Sequence, residues 1–191
     1  MSPVSPSSRA PVAVQALRRA TAAAHDEVDA IFSRADLSSA SGYRAFLSAQ
    51  ARAHLSVEAA LEMAGVERVI ADWPERRRAA LLRADLEDLG EAADLGAAPA
   101  FTDPAELAGA AYVLEGSRLG GALLKRSVAD GLPTRFLDAP ARAGAWRALL
   151  LRLDEVLAEQ ADLDRAVTAA RAVFTLFARA GRATLDATDG R

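Results

Sequence analysis

Two histidines and a run of glycines are the residues of this chain whose types and spacing could do chemistry. His25 stands in "LRRATAAAHDEVD", where Leu17, Thr21, His25 and Asp29 recur every four residues and share one drifting face of a helix. Between the small residues Ala22 and Ala24 an imidazole is sterically open, as a metal ligand must be. Asp29, one turn on, is placed to accept the other ring N–H and fix the tautomer. The plainer alternative is a partly buried histidine satisfied by Asp29, and spacing alone favours it. His54, in "ARAHLSVE", has Glu58 at i+4, which an exposed helix pair or a satisfied interior histidine explains. Neither histidine has a glutamate three residues before it, which argues against a di-iron carboxylate site. Cysteine is absent, so disulfides, thiolate-held zinc, iron–sulfur clusters and thiol nucleophiles are excluded.

The glycines lie in "EGSRLGGALLKR", residues 115 to 126, inside a segment that otherwise reads as helix. Gly116, Gly120 and Gly121 each cost roughly 1 kcal/mol relative to alanine in a helix interior. Two explanations stand. Gly109, Gly116 and Gly120 could admit a neighbouring backbone, or a flat ligand could lie against bare helix, the glycine pair permitting a kink. Ser117 and Gly121, one turn apart, add a second row of small residues. The physics of the sequence favours packing. No phosphate-binding Gly-x-x-x-x-Gly-Lys loop and no Gly-x-Ser-x-Gly elbow occurs, and no strand precedes "GSRLGG" to make it a dinucleotide fingerprint.

The elements that must position these residues are helical. Apolar residues recur at helical spacing from Val12 to about Ser33, and a Ser-rich break, "SSASG", caps a second helix from about Tyr43 to Ala64. "DWPERRRAALLRADLEDLG" predicts a third, with Pro74 in its first turn and Gly90 at its C-cap. Asp103 and Pro104 open a fourth that runs through the glycines to about Asp130; two more follow the connector "GLPTRFLDAP". No stretch alternates with period two, so the reading is a single all-α domain over residues 12–185. Residues 1–11, rich in proline and serine, read as a disordered leader, and 186–191 as a tail. No apolar run approaches the ~20 residues that span a bilayer, and a formal charge of −3 gives no general pull toward nucleic acid. Cytoplasm is the default compartment.

Taken together, the two motifs resemble the heme oxygenase family, in its bacterial biliverdin-producing branch. Leu17, Thr21 and His25 match the family's Leu-x-x-x-Thr-x-x-x-His first helix, and "AYVLEGSRLGG" matches its distal helix almost continuously. "YRAFLSAQARAHLSVEAAL" looks like its second helix, and the resemblance extends over roughly residues 12 to 185. It implies heme, at once cofactor and substrate, sandwiched between a proximal helix whose His25 ligates iron and a distal helix with Gly116, Ser117, Gly120 and Gly121 over the other face. It further implies Arg18, Thr21 and Phe174 as heme contacts, with a second basic contact from Arg147 in preference to Arg152. Serine at 117 replaces the aspartate found in some members. The implied reaction uses dioxygen and external electrons to open heme at its own meso carbon, giving biliverdin, carbon monoxide and ferrous iron. A separate ferredoxin or flavoprotein would supply electrons, with Arg126 as one docking candidate, and a bilin-binding photoreceptor is a conceivable product acceptor. A heme carrier or sensor without turnover, and a helical interaction module, are the competing functions.

Overall fold

The computed structural model describes residues 12–140 and 142–189. Six α-helices carry the described residues: α1 (Val12–Phe32), α2 (Ala40–Met63), α3 (Ala79–Asp88), α4 (Pro104–Leu124), α5 (Ala145–Val156) and α6 (Gln160–Asp189). No strand occurs among the described residues, as the all-α reading requires. The leader expected at 1–11 lies outside them, while α6 continues past the domain boundary expected at 185.

α6 is the spine, packing along α1, α2 and α4. Its inward face is built from Ala166, Ala170, Val173, Phe174, Phe177 and Ala178, small residues alternating with large ones. Small residues let backbones close. A Cβ on Gly109 of α4 would stand 2.1 Å from the Ala166 carbonyl oxygen, and one on Gly181 of α6 would stand 2.6 Å from Ile31 Cγ2. α1 and α4 are therefore held on a common support, and they are not among the strongly packed helix pairs themselves.

Local chemistry sets the helix ends. Asp103 accepts from the N–H groups of Ala105 and Glu106, and Glu106 reaches back to the Asp103 N–H, so α4 opens on a complete capping box with Pro104 at its first turn. Ser39 caps α2 by accepting from Gly42 N–H at 3.1 Å. Two boundaries differ from the sequence reading. The third helix is broken: Trp73–Glu75 form one 3₁₀ turn, and α3 begins only at Ala79. The cap is supplied from afar, because the Glu58 carboxylate of α2 accepts from Arg78 N–H at 2.8 Å and Ala79 N–H at 3.0 Å. The distal helix ends at Leu124, not near Asp130; a 3₁₀ turn at Lys125–Ser127 follows, then extended backbone at Val128.

The irregular connector between α4 and α5 is pinned from beneath. Buried Asp85 accepts from Phe136 N–H at 2.8 Å, and Tyr43 donates its hydroxyl to the Pro133 carbonyl at 2.8 Å. This sets Phe136 edge-on to His54 and under the Arg78 guanidinium. It also sets Leu137 behind the glycine helix, since a Cβ on Gly121 would meet the Leu137 carbonyl at 3.3 Å.

Candidate functional site

The α1 face of the site begins with His25, whose side chain is 57% exposed although Leu17 and Thr21 on the same stripe are buried. Asp29 Oδ2 lies 3.1 Å from Nδ1, and the Phe174 ring of α6 meets the imidazole edge-on with centroids 5.9 Å apart. The ring is thus held from two sides, while Nε2 has no protein partner among the described residues. The partly buried histidine satisfied by Asp29 that spacing favoured has its aspartate, and its side chain is more exposed than buried. Arg18, two turns earlier on the same face, is exposed and carries no ion pair among the described residues. The Thr21 hydroxyl donates back to the Leu17 carbonyl at 2.9 Å, which leaves it no proton for a ligand.

The α4 face is set by its glycines, and the two explanations divide among them. Gly109 admits the α6 backbone and Gly121 admits the connector. By contrast, a Cβ on Gly120 would meet nothing within 4 Å, and one on Gly116 would only touch the Trp146 ring at 3.9 Å. Along the same stripe Leu119 and Leu123 are 55% and 64% exposed, with Leu124 beside them. Bare backbone flanked by exposed leucines is an unfilled apolar surface, and burying each leucine would stabilise by about 1.5–3 kcal/mol. The sequence reading singled out the glycines and not the leucines beside them, because the exposure of Leu119 and Leu123 depends on what packs against α4.

Tyr112, one turn before Gly116, tilts against Trp146 of α5 with ring centroids 5.9 Å apart. Burial raises the Tyr112 phenol, and the Arg18 guanidinium of α1 pulls it partly back. Arg147, next to Trp146, is exposed and without an ion pair among the described residues. Arg152 instead spends its Nε–H on the Val69 carbonyl at 2.8 Å and pairs with Glu155. Arg126 is exposed beyond the distal helix, and its neighbour Lys125 pairs with Asp138.

Ser117 is bonded on both sides, donating to the Leu114 carbonyl and accepting from Arg78 Nη2, each at 2.7 Å. Arg78 is buried, and burial lowers its pKa to about 10, which leaves it cationic at neutral pH. Its charge is answered through space by Glu115 and Glu58, and the Glu58 carboxylate also meets His54 Nε2 at 3.0 Å. Burial alone would raise the Glu58 carboxyl; the bonds from His54, Arg78 and Ala79 outweigh it and hold the group below its usual value.

Burial pushes His54 down to about 4 despite the pull of Glu58. The unfolded chain, with an ordinary imidazole near 6.5, therefore takes up a proton first as the pH falls. Stability is full above about pH 6.5 and is lost as the pH drops toward 4, by about 3 kcal/mol in all. His54→Gln, which keeps a donor toward Glu58 and cannot titrate, is expected to flatten this dependence. Urea melts of both proteins at about pH 7 and about pH 5 check it; parallel losses would assign the acid sensitivity elsewhere.

The donor set itself says what kind of metal suits the site. Among the described residues no group of three or more His, Cys, Asp or Glu side chains converges on a metal position. One oriented imidazole with a free Nε2 fits a metal that brings its other ligands with it, as heme iron does. No helix of the described residues is long and apolar enough to cross a membrane.

Comparison with known proteins agrees. A heme oxygenase family model matches residues 12–183. A heme oxygenase of Xanthomonas campestris pv. campestris (strain 8004) is 31% identical over 130 residues, covering 60% of this chain and 79% of that protein. The crystal structure of NO- and CO-bound heme oxygenase from Neisseria meningitidis superposes with a TM-score of 0.76 at 25% identity, over 91% of this chain and 92% of that one. The match spans nearly the whole described helical domain, and the chain is an enzyme of the heme oxygenase family.

Proposed function

We propose that this enzyme opens heme oxidatively to biliverdin, carbon monoxide and ferrous iron, with His25 as the protein's iron ligand. The observation that carries the reading is the open space over Gly120, beside exposed Leu119 and Leu123, in a chain whose His25 presents a free Nε2. Bound heme would supply both the iron that activates dioxygen and the carbon that is oxidised.

The protein's own part is binding, orientation and exclusion. Asp29 holds the His25 tautomer, and Phe174 fixes the ring plane. Arg18 and Arg147 answer the propionates. Gly116 and Gly120 let the distal backbone come close, and leucines on that stripe exclude bulk water from one edge. Ser117, locked between Leu114 and Arg78, keeps one lone pair and no free proton, so it can accept from an ordered water but not donate to it. Electrons come from a separate ferredoxin or flavoprotein, which the exposed Arg126 would help to dock.

The test is turnover. Heme-loaded protein given oxygen and a ferredoxin-type reductant, with catalase present, is expected to lose its Soret band while a red-absorbing bilin grows and carbon monoxide is released. A heme complex that survives many equivalents of electrons under oxygen would make the chain a heme carrier instead.

A further inference from the structure

A buried set of charges flanks Gly116, and heme contact alone does not call for it. Glu115 is 5% exposed, and its carboxylate accepts from Arg76 Nη1 at 2.7 Å and Arg118 Nη2 at 3.2 Å. Arg76 also grips Asp72 through two bonds of 2.8 Å and donates to the Ala145 carbonyl at the start of α5. Arg118 ties α4 to the Arg76 and Pro140 carbonyls. From α2, Glu58 bonds the Arg78 backbone N–H and acts on the Arg78 guanidinium only through space, and His54 stays neutral; exposed Arg142 touches Asp72 from outside. Asp72 and Glu115 thus pair directly with Arg76 and Arg118, and Glu58 balances Arg78 through space, three carboxylates against three guanidiniums. Buried ion clusters add little net stability over apolar replacements, so stability is a weak reason for this one. Its placement is more informative, since Glu115, Ser117 and Arg118 all lie in the turn that leads to Gly120, the glycine that faces open space.

We propose that Glu115 is a positioning residue that sets the electrostatic field over the distal face by holding this cluster at zero net charge. The inference rests on the heme reading above. With Glu115 ionised, an electron arriving at the site meets no excess of either sign from beneath α4. Neutralising Glu115 leaves three cations against two anions and favours ferrous over ferric heme. Neutralising Arg76 leaves three anions, counting Asp72, Glu58 and Glu115, against two cations and favours ferric heme.

The experiment is spectroelectrochemistry on the heme complexes of the full chain, for wild type, E115Q, R76Q and the double variant. At an effective dielectric near 20, a unit charge roughly 10 Å from a redox centre changes a one-electron equilibrium about 15-fold, or about 70 mV. The midpoint is expected to rise in E115Q, fall in R76Q and return toward wild type in the double variant. A loosened, wetter site would move both single variants the same way and the double variant further, and that result, or unmoved potentials, overturns the proposal. D72N and R118Q repeat the two arms if either first variant fails to hold heme. Wild type that binds no heme through His25 sinks the heme reading itself; wild type that binds normally while the potentials do not diverge sinks only this inference.

Discussion

His25→Ala is expected to abolish turnover and lower heme affinity by at least about 100-fold, with the apoprotein's stability changed by less than about 0.5 kcal/mol. The separation of the two effects follows from the geometry. His25 is more than half exposed and touches the core only through the edge of Phe174, so its removal opens no cavity. Asp29→Ala keeps the imidazole and loses its orientation, for which about a tenfold loss is expected. His54→Gln tests the other imidazole and is expected to leave the heme spectrum intact, because His54 is buried against Glu58 and Phe136. Heme titrations followed in the ferric and ferrous states measure all three. An unchanged spectrum in His25→Ala, or a lost one in His54→Gln, would reverse the assignment of the ligand.

How much of this was legible in the sequence depends on whether the deciding partner was local. The start of α4 could be read because Asp103, Pro104 and Glu106 form a complete local cap. The start of α3 could not, because its cap is Glu58, twenty residues earlier on another helix. In "ERRR" at 75–78, placed by the sequence in the third helix, Arg76 and Arg78 are buried. Their counter-charges, Glu115 and Glu58, sit in helices whose periodicity gives no hint of the meeting. For His25, i+4 spacing to Asp29 was right about the contact and favoured more burial than is found, because exposure depends on how α1 lies against α6. Thr21 belonged to the motif, but spacing could not show its hydroxyl turned back to Leu17.

The glycines give the sharpest test, because one residue type does two jobs in one helix. Gly120→Leu places its side chain where nothing stands within 4 Å, and it replaces a poor helix former with a good one. The apoprotein is therefore expected to gain about 0.5–1 kcal/mol in a denaturant melt. Heme binding is expected to fail in the same variant, since the new side chain fills the space the porphyrin needs. Gly109→Ala should do the reverse. Its Cβ would fall 2.1 Å from the Ala166 carbonyl oxygen, forcing α4 and α6 apart at a cost of about 3 kcal/mol, while the open face at Gly120, about three turns further along α4, is kept. Gly121→Leu lies between them, because it must displace the Leu137 backbone that stands 3.3 Å from its Cβ. A stabilised Gly120→Leu protein that binds heme as tightly as wild type would show that the bare face of α4 serves something other than heme.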